Sequence, residues 1–224
     1  MLGAWSGSAL AGPPFLTDDP QPTELRHWEI YNFVSGERSD GQSSYAGGLD
    51  LNYGAIRDVQ LTLVLPLEKA PGEPVHGGDV EMAAKFKLLH QGQRLPLDVT
   101  FFPRVFLPTG RGSQHAQLLL PIWVEHDEGP WQVFGGGGYT INPGVGNRDF
   151  WQQGVAVNRL IGRGLQLGIE YFGQPAGAVG DRSSHLVNVG LSTHLGGPFS
   201  LIGSFGQGLN RRQTVFYSAL KLDL

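Results

Sequence analysis

Seven histidines, His27, His76, His90, His115, His126, His185 and His194, are the first residues to test for chemistry. None stands in an H-E-x-x-H or similar ligand spacing, so the sequence predicts no metal site. The chain contains no cysteine, which removes disulfides, thiolate metal sites and a thiol nucleophile together. Two serine–histidine neighbourhoods remain as hydrolase candidates: Ser184-His185, and Ser113 with His115. Consecutive side chains on a strand point to opposite faces, so Ser184 and His185 do not make a nucleophile–base pair. Ser113 and His115 share a parity but lie at a loop edge with no orienting partner in view. The run Gly135–Gly138 is followed by no Lys-Ser/Thr and is not a phosphate loop. Inside a strand, such glycines mark a bend or close packing. The sequence therefore predicts neither an enzyme nor a cofactor.

A second set of residues concerns charge rather than catalysis. Glu81, Lys85, Lys87, Asp98, Arg104 and Glu170 fall on the polar parity of apolar–polar segments. They suit a charged constriction that selects solutes, or equally an interior of mutually neutralising ion pairs. Lys85 or Lys87 would face Asp98 or Arg104 across adjacent strands. Asp18 and Asp19 sit among prolines. They could bind a cation or plug a channel mouth, although Asp beside Pro more commonly caps a turn.

The elements that must carry these residues are strands. With 34 Gly and 15 Pro in 224 residues, long helices are disfavoured. From Arg26 onward, twelve segments alternate apolar with polar residues. Val59, Leu61, Leu63 and Leu65 oppose Asp58, Gln60 and Thr62. Val80, Met82, Ala84, Phe86 and Leu88 oppose Glu81, Lys85 and Lys87. Leu165, Leu167, Ile169 and Tyr171 oppose Gln166 and Glu170. Within the strand cores every charge keeps the same parity, so one face avoids water in every strand. Segments of about nine to twelve residues exceed the usual soluble strand and match the roughly 9–11 needed to cross a bilayer. The polar face is also rich in Gly, Ala and Ser, which make room inside a narrow barrel.

Connection lengths point the same way. Ser35–Ser43, Glu68–Gly78 and Gly173–Ser183 read as long; Gly54–Arg57, Gln91–Arg94, His126–Gly129, Ile161–Arg163 and Gly196-Gly197 read as short. Such alternation is the rhythm of an outer-membrane barrel, with both termini on the periplasmic side. Trp28, Tyr45, Tyr53, Trp131, Tyr139, Trp151 and Tyr171 fall where interfacial aromatic girdles belong. The expected fold is an all-β, twelve-stranded antiparallel transmembrane up-and-down β-barrel over residues 26–224. Phe102, Phe106, Trp123, Arg104 and Lys85 would partly fill its lumen. Residues 1–11, ending Ala9-Leu10-Ala11, read as the remnant of a signal peptide. Residues 12–25, with four prolines, read as an extended periplasmic lead-in. With 16 Lys+Arg against 20 Asp+Glu, nothing favours a nucleic-acid partner.

Gly12-Pro13-Pro14-Phe15-Leu16-Thr17-Asp18-Asp19-Pro20, followed by His27-Trp28-Glu29-Ile30-Tyr31, resembles the opening of a family of exported bacterial proteins. That family is labelled MetA-pathway of phenol degradation, or outer-membrane transporter. The resemblance extends through Leu51–Gly54, Phe106–Gly110, Leu120–Trp123, Gly129–Trp131, Gly135–Tyr139 and Gly146–Arg148. It implies an outer-membrane barrel that passes small, aromatic or hydrophobic solutes. One departure is the final residue: such barrels commonly end in an aromatic, whereas this chain reads Leu220, Leu222, Leu224. The expected partners are outer-membrane lipid, small solutes and the barrel assembly machinery. The rival readings are an outer-membrane lipid-modifying enzyme, a structural barrel with a closed lumen, and a soluble β-sandwich.

Overall fold

The computed structural model describes residues 14–111, 114–162 and 164–224. Among them there is no helix. The strands are β1 (Trp28–Ser39), β2 (Gln42–Ile56), β3 (Val59–Lys69), β4 (His76–Gly77), β5 (Val80–Leu89), β6 (Asp98–Phe101), β7 (Arg104–Leu107), β8 (Gln117–Glu128), β9 (Trp131–Ile141), β10 (Phe150–Ile161), β11 (Leu165–Gln174), β12 (Ser184–Gly196), β13 (Phe199–Gly208) and β14 (Gln213–Asp223). β4 is a two-residue appendage to β3. β6 and β7 are two halves of one crossing, both paired with β5 and β8. The sheet therefore has twelve antiparallel crossings, each beside its sequence neighbours. It closes where β1 pairs with β14 from Glu29↔Asp223 to Ser39↔Gln213. Closure leaves no free edge, as a sheet surrounded by hydrocarbon requires.

The alternation sorts side chains as a barrel demands. Leu61, Ile122, Ile169 and Val189 project outward and are half exposed. The neighbouring inward positions Gln60, Trp123, Glu170 and Asn188 are buried. The rival soluble sandwich, with apolar side chains meeting in a dry centre, is not what forms. Aromatics ring both ends of the outer apolar band. Trp28 and Tyr53 pack with tilted rings, centroids 4.7 Å apart, at the end where β1 begins. Tyr139 and Trp151 do so at 5.3 Å at the opposite end. We call these the proximal and distal ends.

Two connections differ from expectation, and one crossing is broken. The expected long connection Ser35–Ser43 is a two-residue turn, because β1 and β2 stay paired up to Ser39↔Gln42. Asp40 and Gly41 both adopt positive φ, 49° and 86°, the geometry of a tight hairpin turn that follows strand twist. These strands extend past the apolar band, so their polar tips mimic a loop in sequence. The expected short turn Gln91–Arg94 instead spans residues 90–97. The fifth crossing is interrupted at Phe102-Pro103, since Pro103 has no N–H to donate. The other proximal connections are short (57–58, 129–130 and 197–198, and that between Ile161 and Leu165), while distal ones reach ten residues at 70–79, β4 included.

The candidate pore and the segment inside it

The proline-rich segment does not stay outside the barrel. Residues 14–25 thread through the lumen, held by inward side chains from several strands. At the proximal end Arg26 N–H donates to Gly54 O at 2.7 Å. Thr23 N–H donates to Gln60 Oε1 at 2.8 Å. Gln60 Nε2 in turn donates to Asn52 Oδ1 at 2.7 Å. Deeper in, Thr100 Oγ1 donates to Pro20 O at 2.7 Å. Thr17 and Leu16 donate their backbone N–H groups to the Glu170 carboxylate. Asn188 Nδ2 donates to the same carboxylate. Prolines suit this path, because an extended segment outside the sheet ladder loses few hydrogen bonds by lacking N–H groups.

Glycines on the wall make the space. A Cβ on Gly154 would strike Thr17, and one on Gly190 would meet Phe15 at 2.6 Å and Pro14 at 2.7 Å. A Cβ on Gly54 would run into the backbone of Thr23 and Glu24. The small residues of the polar face thus make room chiefly for the chain's own lead-in.

The six charged residues singled out from sequence all lie on the inner wall. Arg104 makes a two-pronged pair with Glu81, Nε–Oε1 2.7 Å and Nη2–Oε2 2.9 Å. Lys87 Nζ lies 3.0 Å from Asp98 Oδ2. Lys85 Nζ instead reaches the lead-in: Asp18 Oδ1 at 2.9 Å, Asp19 O at 2.9 Å and Gln21 O at 3.3 Å. It also lies 4.8 Å over the ring of Phe102. Arg104 Nη1 approaches Asp18 Oδ2 at 3.9 Å. Asp18 and Asp19 are therefore ion-pair partners of the wall, and Asp19 also caps a turn, its Oδ1 accepting from Gln21 N–H at 2.9 Å. Gln21 completes the grip: its amide donates to Asp98 and Glu125, and its Oε1 accepts from Lys87 Nζ at 2.7 Å. Among the described residues, Glu170 is joined to no cation and bonds to neutral donors only.

Distal to this plug lies a cavity of about 650 Å³. Pro14, Phe15 and Leu16 form its floor and Tyr217 lines its side, with Glu37, Glu68 and Arg111 among its charged groups; Tyr45 and Phe216 border it from the outward-facing parity, across Gly36. Phe102 and Trp123 are buried, as expected of lumen fillers. Ser184 faces inward and donates to Gln213 Oε1 at 2.7 Å. His185 turns outward, its Nδ1 2.8 Å from Tyr171 Oη. The two cannot act together. Ser113, and the signal-peptide reading over residues 1–11, lie outside the described residues. No group of His, Asp or Glu among the described residues could hold a metal ion.

The barrel has counterparts of the same shape. It is similar to the COG4313 outer membrane channel from Pseudomonas putida F1, with a TM-score of 0.71 at 15% identity, over 91% of this chain and 97% of that one. It is similar to the NanC porin, at TM-score 0.63 and 9% identity, over 86% of this chain and 100% of that one. The KdgM porin in complex with disordered oligogalacturonate matches at TM-score 0.60 and 10% identity, over 86% and 98% of the two chains. At such identities the likeness is one of fold. No protein-family model matches the chain. No curated protein matches it either.

Proposed function

We propose that this chain is an outer-membrane β-barrel channel that lets small solutes cross passively, with its lead-in as a movable constriction. The observation that carries the reading is the inverted sorting of side chains. An apolar outer wall bounded by aromatic rings suits lipid, and a polar inner wall surrounds a plug and a cavity. The likeness in fold to the COG4313 outer membrane channel and to the NanC and KdgM porins supports it. The proximal end, with the shorter turns, would face the periplasm. Lipid, solutes and the assembly machinery are the partners this reading requires.

For the solutes, we favour small aromatic or hydrophobic molecules. The resemblance of the opening and central motifs to the MetA-labelled family supports this, as do the Phe15 and Tyr217 rings at the distal cavity. The oligogalacturonate bound by KdgM is a less suitable guide, because carboxylates predominate on this inner wall. Glu81, Lys85, Lys87, Asp98, Arg104 and Glu170 act in this reading as the frame that seats the lead-in. The test is current through planar bilayers carrying the purified, refolded protein. Stepwise conductance supports a channel; lipid hydrolysis without conductance would favour the enzyme reading.

A further inference from the structure

The inner wall has more carboxylates than its cations can neutralise. The strand-borne cations facing inward are Lys85, Lys87, Arg104 and Lys221, and each already has an acidic partner. Lys221 Nζ, for example, lies 2.9 Å from Asp223 and 3.2 Å from Glu29. Asp50, Glu68, Glu125, Asp127 (at the proximal end of β8) and Glu170 remain, with no Lys or Arg within ion-pair distance among the described residues. They are spread around the wall, on β2, β3, β8 and β11. Asp50 bonds to Asn52 Nδ2 at 2.8 Å, and Glu125 to the amides of Gln21 and Gln132. The lead-in carries Asp18, Asp19 and Glu24 and, over residues 14–25, no Lys or Arg. A separate observation points the same way. Asn188 is 2% exposed and lines the distal cavity, and among the described residues its Oδ1 has no hydrogen-bond donor. An acceptor oxygen left without a donor beside a carboxylate without a cation suits a positively charged passenger.

We propose that the lumen favours cations over anions, and that Asp50, Glu68, Glu125 and Glu170 set this preference. The residues locked in ion pairs contribute little, because each pair presents almost no net charge along the path. Low-dielectric walls lined by one sign of charge concentrate counter-ions, and rings of Asp and Glu are a common basis of cation selectivity in pores. Among organic solutes, the same wall would admit small ammonium compounds ahead of carboxylates of equal size. This inference rests on the channel reading above.

The test is the reversal potential of the full chain in planar bilayers under a KCl gradient. We expect K⁺ to permeate at least about fivefold better than Cl⁻. D50N combined with E125Q should lower that ratio by about half or more. E68Q, at the cavity, should lower it by a smaller amount. E128Q, at an exposed strand end, should leave it unchanged. Retained mobility shift on boiling shows that each variant has folded. A ratio at or below unity, or one that ignores D50N/E125Q, overturns the proposal while leaving a channel in place. Absence of any conductance in the folded wild-type chain would instead sink the channel reading, and this inference with it.

Discussion

Replacing Lys85 by Met should loosen the lead-in without melting the barrel. Lys85 Nζ joins Asp18 Oδ1 and the carbonyls of Asp19 and Gln21 within 3.3 Å. Removing one member of a buried pair costs roughly 3–5 kcal/mol, since the other charge is left without its partner. Arg104, at 3.9 Å from Asp18, retains part of that stabilisation. A net loss of about 2 kcal/mol then raises the released population about 30-fold, at 1.4 kcal/mol per decade. The interstrand ladder is untouched, because Met makes the same backbone bonds as Lys at this position. The chain has no cysteine, so Thr17→Cys supplies a single reporter at a site that is fully buried. Maleimide labelling of that thiol follows the released population where reclosing is fast. We expect labelling to accelerate about 30-fold in the Lys85→Met background. A change under about threefold, with the boiling shift retained, would refute the idea that this ion pair holds the segment.

Other expectations follow from the same structure. Gly190→Val should push Phe15 and Pro14 from their seat, raising both Thr17→Cys labelling and conductance, whereas Gly203→Val, away from the lead-in, should do neither. Leu63→Arg, on the outer face of β3, should destabilise the folded protein by about 2–4 kcal/mol in bilayer-based unfolding, the cost of an Arg near the bilayer midplane. Arg104→Met, which leaves Glu81 buried without its two-pronged partner, should cost roughly 3–5 kcal/mol in the same assay. Gly41→Ala should cost about 1 kcal/mol, because its φ of 86° disfavours a side chain, and should leave conductance unchanged.

The twelve crossings were legible in the sequence because a period of two, once one face is buried, fixes every side chain along a strand. Leu61 and Ile169 facing outward, and Glu81, Lys85 and Arg104 facing inward, follow from that parity alone. The first hairpin was misread because strand pairing outlasts the apolar band: Glu37 to Ser39 are polar, yet they remain in the ladder opposite Ser44 to Gln42. Backbone hydrogen bonds do not require apolar side chains once a strand leaves the greasy zone. The path of the lead-in was not legible, since an extended segment has no period. Its partners, Gln60, Lys85, Thr100 and Glu170, are distant in sequence and meet only when the sheet closes. The available signal was the excess of glycine on the polar face, at Gly54, Gly154, Gly168 and Gly190. That excess reports a need for space without naming the occupant. The choice between a charged constriction and an interior of ion pairs was likewise left open by parity, which gives the face of a charge but not its partner.

In a gated channel of this kind, the lead-in occupies the route that solutes would take. Thr17 Cβ lies 3.1 Å from where a Cβ on Gly154 would sit, a few tenths of an ångström short of the usual disulfide span. The double variant Thr17→Cys/Gly154→Cys can therefore tether the segment to the wall on oxidation, with no native thiol to interfere. Conductance of one membrane-inserted sample, recorded oxidised and then reduced, tests the claim directly. The structure predicts silence while the bridge is closed and stepwise current once it is reduced. Equal current in both states would show that solutes do not pass where this segment lies.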